Sequence, residues 1–513
     1  MPQQTWTAGD RGSVPRQALP DAPPVTGIEW ALLVMIVFCA LAVFGFQLTT
    51  QLTTIIELTF GIELALMAIC GYESIRNKVM GKTLLSGSMM AFYYVDAFRM
   101  AISDDPYTAK AIQVAGAQFS PETVQLGLLY AALFQLMLFA GYSCRVRLYR
   151  LCYWVQSRVD RRGTPIWLLR YLFAACAVIS LLVTYKGSLG TVVASVDAAR
   201  SGKFGAEADF GLLTQITFFG MFGCGLLLIE ALFFSKIGRL PLLLLTGVLG
   251  APVFFGSARH MTLFVMLPVI VATLKRVKGR IRTRQVVVWG GLVLLLVGLT
   301  QLQFAVRTRG WQHVLEVNSG EMVSPGFAEF QAELYALDLV PKFHDYFLEP
   351  IEPFFVIHWI PRKIWETKPI PKSWTYYDNV FVRNAHFNVT PSVIGQFHMN
   401  FGLPGVLYIG VLLGFLMAVT DRAMMVVSFD RQIAMMTLLG SFYAFLVSSF
   451  RFFHPLYFAY VVFGAFVTFV LTRKALAVRT PVRWIPAVGV AMPLGVRPAR
   501  RPSEAISAGR GQI

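Results

Sequence analysis

Apolar runs of roughly 17–25 residues recur along the whole chain, and they constrain its fold more than any other feature. A helix of this length crosses a hydrocarbon core about 30 Å thick. Because that core contains no water, each run must be a helix that satisfies its own backbone hydrogen bonds. The sequence therefore predicts an all-α polytopic membrane protein.

Composition agrees with this prediction. Apolar residues make up 56% of the chain, charged residues 14%, and the mean hydropathy is +0.59. A soluble chain would carry about a quarter charged residues. We predict twelve transmembrane helices, at about 28–48, 52–72, 83–101, 124–142, 166–185, 211–234, 239–256, 258–274, 285–304, 393–419, 432–449 and 455–472.

The charges between these runs predict the topology. Lys and Arg cluster in alternate short connections, whereas the other short connections carry mainly Asp and Glu. By the positive-inside rule, both termini are then cytoplasmic. The net charge of +17 comes from these clusters, so we expect a membrane partner and no nucleic acid. The cytoplasmic clusters include Lys78, Lys82, Arg145, Arg147, Arg158, Lys275, Arg276, Arg422 and Arg431.

Five segments follow from this topology. Residues 1–27 are predicted to be a disordered cytoplasmic tail, and residues 28–304 to contain transmembrane helices 1–9. Residues 305–391 form one long external loop, 392–472 contain helices 10–12, and 473–513 are a basic cytoplasmic tail.

The long external loop is too rich in aromatic residues to be a solvated linker. Within it, the stretch Phe327–Phe343 brings four apolar side chains near one helical face. We expect a short helix there, lying on the membrane or on the bundle, as part of a small folded cap. The four side chains are Phe330, Leu334, Leu337 and Leu339.

Basic residues gather on the predicted external face, where the positive-inside rule disfavours them. A charge near bilayer depth costs a few kcal/mol, so it usually faces a cavity and has a partner. The planar guanidinium suits phosphate oxygens, which predicts a lipid-diphosphate site. The alternative is that these cations reach headgroups or pair with loop acids such as Glu329, Glu333 and Asp378. The candidate diphosphate-binding residues are Arg259, His260, Arg307, Arg309, Arg383, Arg451 and His454.

Other chemistry is less well supported by the sequence. His260, His386 and His454 could act as general bases or make structural hydrogen bonds. No metal-binding spacing or nucleotide-binding loop occurs in the sequence, so we expect neither a metal nor a cofactor. Four acids lie scattered within predicted spans: Glu57, Glu63, Asp96 and Glu230. We expect them to pair with other polar groups of the bundle rather than to couple ion transport.

Four ordered motifs carry a family resemblance. In chain order they are Gly256-Ser257-Ala258-Arg259; Ala328-Glu329-Phe330; the proline-rich Ile360-Pro361-Arg362 with Lys368-Pro369; and Thr390–Gly405, which contains Asn400-Phe401-Gly402. In this order, and with this hydropathy plan, the chain resembles the bacterial O-antigen/oligosaccharide repeat-unit polymerases (Wzy type). His260, after Arg259, and Gln396, at a position where an acid is frequent, depart from that family's pattern.

The resemblance implies a GT-C-like glycosyltransferase of the bacterial inner membrane, with its active site facing the periplasm. Its partners would be polyprenyl-diphosphate-linked oligosaccharides and a chain-length regulator protein. The resemblance implies arginines that stabilise the leaving diphosphate without a metal, and a general base, for which Glu329 and His386 are the candidates.

Two alternatives remain at the level of sequence. An O-antigen ligase, or another polyprenyl-linked transferase, would use nearly the same site with a different acceptor. A polysaccharide flippase or secondary transporter would instead have an inverted repeat and a cavity at mid-membrane.

Overall fold

The computed structural model describes most of the helical bundle, but several of the predicted spans lie outside the described residues. The described residues are 23–45, 52–102, 107–108, 118–144, 148–160, 212–234, 261–277, 329–350, 391–453 and 455–472, with single positions between 243 and 377. Contacts divide the chain into Met1–Leu476 and Ala477–Ile513, and every described residue belongs to the first unit.

Regular structure in the described ranges is helical. The helices, in chain order, are α1 (Gly27–Gly45), α2 (Leu52–Asn77), α3 (Gly81–Met89), α4 (Val95–Ala101), α5 (Pro121–Ser143), α6 (Tyr149–Ser157), α7 (Leu212–Phe233), α8 (Met261–Arg276), α9 (Glu329–Leu339), α10 (Ser392–Met425), α11 (Ile433–Arg451) and α12 (Pro455–Thr472). A π-helical turn, Met90–Tyr94, joins α3 to α4, so residues 81–101 form one continuous helical segment.

These helices confirm the membrane character that the apolar runs predict. Four of them are long and apolar enough to cross a bilayer: α2, α5, α10 and α11. Shorter apolar helices occupy Gly27–Ala42, Phe222–Phe233 and Val461–Thr472. Apart from single positions, the predicted runs at 166–185, 239–256 and 285–304 lie outside the described residues, as do most of both predicted tails. The number of twelve spans and their orientation therefore stay predictions.

Glycines bring α5 and α10 into close backbone contact. A side chain at Gly141 of α5 would overlap the backbone of Val411, and one at Gly414 of α10 would overlap the carbonyl of Leu138. Gly410 lies one turn before Gly414, against the carbonyl of Phe134. Two small residues four apart let membrane helices approach until their backbones touch, which is how van der Waals packing holds them together in lipid.

A kink divides α10 near its start. Gly402 adopts φ +63°, and Pro404 follows two residues later without an N–H to donate to Asn400. The carbonyls released by the kink accept hydrogen bonds from the loop after α9: Phe347 N donates to Met399 O at 3.1 Å, and Leu348 N to Asn400 O at 3.0 Å.

A buried polar cluster closes one end of the bundle. Asp421, near the end of α10, accepts hydrogen bonds from the hydroxyls of Tyr142 and Tyr443 and from Gly81 N at 2.9 Å. Lys82 pairs with Glu29 at 2.9 Å. Lys82 and Arg422, which are predicted to be cytoplasmic, thus lie at this end of the bundle. Helix α11 runs from Ile433 over about 28 Å, so Arg451 lies at the opposite end.

Candidate functional site

The structure describes two of the nine predicted site residues and brings them together. Glu329 begins α9, Arg451 ends α11, and the two form an ion pair. The other seven predicted residues lie outside the described residues: Arg259, His260, Arg307, Arg309, Arg383, His386 and His454.

Helix α9 is packed inside the bundle and touches the π-helical turn, α4, α5 and α10. All four side chains predicted to share its apolar face are buried, but so are residues on its other faces, including Gln331 and Glu333. A side chain at Gly127 of α5 would overlap Leu334, and one at Gly395 of α10 would come within 2.9 Å of Ala336 Cβ. Small residues on both neighbours therefore make room for the loop helix.

Asp96 fixes the beginning of α9. Its carboxylate accepts hydrogen bonds from Gln331 N at 3.1 Å and from Gln331 Nε2 at 2.7 Å. The first N–H groups of a helix have no partner within the helix, and a carboxylate there also interacts favourably with the helix dipole. Asp96 is thus one of the intramembrane acids whose structural pairing the sequence favours, and Gln331 is its partner.

The ion pair links the beginning of α9 to the end of α11. Arg451 Nε lies 3.1 Å from Glu329 Oε1. The Glu329 side chain is 5% exposed and that of Arg451 is 19% exposed, so the guanidinium keeps some contact with its surroundings. A cation at a helix C-terminus also faces the negative end of the helix dipole, which stabilises it where it is.

Gln396 holds the backbone that follows Arg451. Its Oε1 accepts a hydrogen bond from Phe453 N at 3.1 Å, and its Nε2 donates to Phe453 O at 3.5 Å. A side-chain amide can make both bonds, whereas the carboxylate that the family pattern favours could only accept. The amide of Gln396 therefore has a structural role here that the sequence did not indicate.

His398 is a described histidine that the sequence did not single out. Its Nε2 donates to Val340 O, one residue beyond α9, at 2.8 Å. Its ring packs edge-on against Tyr130, with the centroids 5.2 Å apart. The hydrogen bond holds the end of α9 while Asp96 holds its beginning, so His398 positions the helix.

Glu333 lies one helical turn after Glu329 and is completely buried. Neither of its carboxyl oxygens makes a hydrogen bond with any residue that the structure describes. Burial raises the pKa of this carboxyl well above its ordinary value, because the charged form is poorly solvated there. From the sequence, Glu333 was only one of the loop acids that could pair with the basic residues of the predicted external face. The lack of a hydrogen-bond partner for its carboxyl group depends on how α9 packs.

Another acid, Glu63 of α2, accepts a hydrogen bond at each of its carboxyl oxygens. Ser86 Oγ and Gln135 Nε2 each donate to it at 2.5 Å. Tyr94 Oη in turn donates to Gln135 Oε1 at 2.7 Å. Glu63 thus also fits the structural pairing that the sequence favours for intramembrane acids.

The chemistry available at this end of the bundle is that of an arginine beside two carboxyl groups. The guanidinium of Arg451 can bind an anion, and Glu329 can then exchange a proton because its ion pair is broken. The carboxyl group of Glu333 has no hydrogen-bond partner among the described residues. Among the described residues, no three His, Cys, Asp or Glu side chains are grouped so that they could hold a metal ion.

Comparison of the chain with protein-family models, with curated proteins and with solved structures gives no match.

Proposed function

We propose that this chain joins undecaprenyl-diphosphate-linked oligosaccharide repeat units into O-antigen or a related surface polysaccharide. The observation that carries the proposal is the ion pair between Arg451 and Glu329. It supplies an anion-binding group and a carboxylate side by side, at the end of the bundle opposite Lys82 and Arg422. An arginine–carboxylate pair suits a reaction in which a diphosphate leaves while a hydroxyl loses its proton.

In the reaction, a hydroxyl oxygen of the acceptor sugar bonds to the anomeric carbon of the donor. The bond from that carbon to the diphosphate oxygen breaks, and its electron pair leaves with the diphosphate. Arg451 stabilises the charge that develops on this leaving group. A diphosphate bound to Arg451 would release Glu329 from its ion pair, so that its carboxylate could accept the hydroxyl proton. His386 is the other candidate for this base.

The membrane setting is part of the proposal. Twelve spans with cytoplasmic termini would put Arg451 and Glu329 at the periplasmic face of a bacterial inner membrane. The polyprenyl chains of both substrates would lie in the lipid beside the bundle. A chain-length regulator is the protein partner that such a polymerase would work with.

The test is a gel of surface polysaccharide from a strain that lacks the gene, complemented with wild type, Arg451→Ala or Arg451→Lys. We expect wild type to restore a ladder of lengths. Arg451→Ala should leave a single capped repeat unit, and Arg451→Lys should restore little because it lacks the planar fork.

The matched control is Arg431→Ala. Arg431 has an exposed side chain just before the other end of α11, so its removal should leave the ladder intact. Membrane levels of each variant are measured by blotting. Loss of every repeat unit in the deletion strain would favour a ligase or a flippase, and an unchanged ladder there would exclude the proposed function.

A further inference from the structure

Among the described residues, Glu333 combines complete burial with a carboxyl group that lacks any hydrogen bond. Leaving an ionised carboxylate in this condition costs several kcal/mol, which is far more than the neutral acid costs. A protein can keep the group there by binding a proton to it. Because Glu333 has no exposed surface, any ligand larger than a proton could reach it only after α9 had moved.

Two of the three tyrosine hydroxyl groups near Glu333 donate their hydrogen bonds to other residues. Tyr93 and Tyr94, from the π-helical turn, lie within electrostatic range of Glu333. Tyr93 Oη donates to Phe450 O at 3.0 Å, and Tyr94 Oη donates to Gln135 Oε1. Tyr130 of α5 is the third tyrosine within this range. The tyrosines on two neighbouring elements thus surround the carboxyl without neutralising it.

The nearby charged groups are committed as well. Asp96 of α4 accepts both of its hydrogen bonds from Gln331. Arg451 of α11 pairs with Glu329, on the same face of α9 one turn earlier. From α10, the neighbours of Glu333 are uncharged: Gly395 approaches its backbone. No cation in the described part of the chain offsets an ionised Glu333.

We propose that Glu333 is a proton-binding site, and that α9 occupies its position between α4, α5 and α10 only while this proton is bound. When the proton leaves, the carboxylate must find water, and the shortest way is for α9 to move out of the bundle. The raised pKa of the carboxyl, which burial causes, is consistent with the neutral form at neutral pH. Movement of α9 would also separate Glu329 from Arg451 and expose the guanidinium.

Hydrogen–deuterium exchange of the full chain in lipid nanodiscs tests this without any glycan substrate. Labelling times are scaled to the intrinsic amide exchange rate over about pH 5 to 10, and exchange in α9 is compared with that in α11. We expect the protection of α9 to fall above a midpoint pH by up to tenfold per pH unit, the slope of one linked proton. Protection of α11 should stay constant.

Two variants assign the effect. Glu333→Gln stays neutral at every pH, so α9 should remain protected throughout; Glu333→Met serves the same purpose if the amide variant does not fold. Asp338→Asn is the matched control, because Asp338 lies on the same helix in a solvent-exposed ion pair with Lys342 at 3.1 Å and should keep the wild-type profile.

Three results would overturn the proposal. The first is a flat wild-type profile, which needs no variant to interpret. The second is pH dependence that persists without the Glu333 carboxyl, since it would assign the proton to another group such as Asp96. The third is a profile that Asp338→Asn abolishes, since the effect would then come from the exposed face of α9.

Discussion

Arg451 Nε lies 3.1 Å from Glu329 Oε1, and this contact joins the end of α11, a helix long and apolar enough to cross a membrane, to the beginning of the short helix α9. The loop helix is therefore held to the bundle by charge at one point and by close apolar packing along its length. The same contact brings an anion-binding group and a carboxylate together, which is why the proposed chemistry is placed there.

The ion pair should couple the two residues energetically. Arg451→Ala and Glu329→Ala should each lower the stability of the detergent-solubilised protein, but the double variant should lose about 1 kcal/mol less than the sum. The coupling is modest because the guanidinium is partly exposed and screened. Thermal unfolding of the four proteins provides the cycle; strictly additive losses would mean that the pair contributes nothing to stability.

Gln396→Glu should be destabilising, although it introduces the acid that is frequent at this position in the family that the sequence resembles. The substitution removes the donor to Phe453 O and leaves a buried carboxylate facing a carbonyl, at a cost of about 1–3 kcal/mol. A lowered unfolding temperature is the expected readout. Equal stability of the variant and wild type would contradict the role we give to the amide.

Gly414→Ala should disrupt the contact between α5 and α10. The added methyl group would overlap the carbonyl of Leu138, and the helices must separate at a cost of about 1–3 kcal/mol. Gly71→Ala on α2 is the control, because a methyl group there meets no atom within 4 Å and alanine is the better helix former. Gly414→Ala should thus lower the unfolding temperature and Gly71→Ala should raise it. A lower unfolding temperature for both variants would mean that the helices do not tolerate alanine in place of glycine in general.

Asp160→Asn should change how stability depends on pH. Asp160 Oδ2 accepts from Ala434 N at 2.9 Å, at the beginning of α11, and burial raises the pKa of the carboxyl to about 6. The pKa of Asp160 in the folded protein is above the ordinary value near 4, so the folded protein favours the protonated carboxyl group. The stability that this group contributes is therefore fully present below about pH 4 and is lost as the pH rises through 6.

Asparagine keeps an acceptor for Ala434 N and carries no charge. The variant should therefore match wild type near pH 4 and be more stable by about 2–3 kcal/mol near pH 8, since one pKa unit corresponds to about 1.4 kcal/mol. Asp160→Ala, which also carries no charge but removes the acceptor, should be less stable than Asp160→Asn at both pH values by about 1 kcal/mol. Unfolding temperatures of the three proteins at the two pH values are the measurement; a constant difference between Asp160→Asn and wild type would show that this carboxyl does not titrate in that range.

The sequence alone determined where the described membrane helices lie. The predicted run 455–472 coincides with α12, and the predicted run 124–142 lies within α5. These positions can be predicted because the requirement is local: an apolar run in lipid must form a helix to satisfy its own backbone. The helix within the long loop was predicted for the same local reason, from the period of its apolar residues.

Only the tertiary structure decided which polar groups meet. Asp96 with Gln331, Gln396 with Phe453, and Glu329 with Arg451 are pairs far apart in the sequence. No periodicity indicates them, because a side chain's partner depends on which helices pack together and in what register. Glu333 is the clearest case, since a glutamate on an exposed helix would be solvated. It is an isolated buried carboxyl here because α9 is enclosed by its neighbours, and burial, unlike helix formation, depends on the whole bundle.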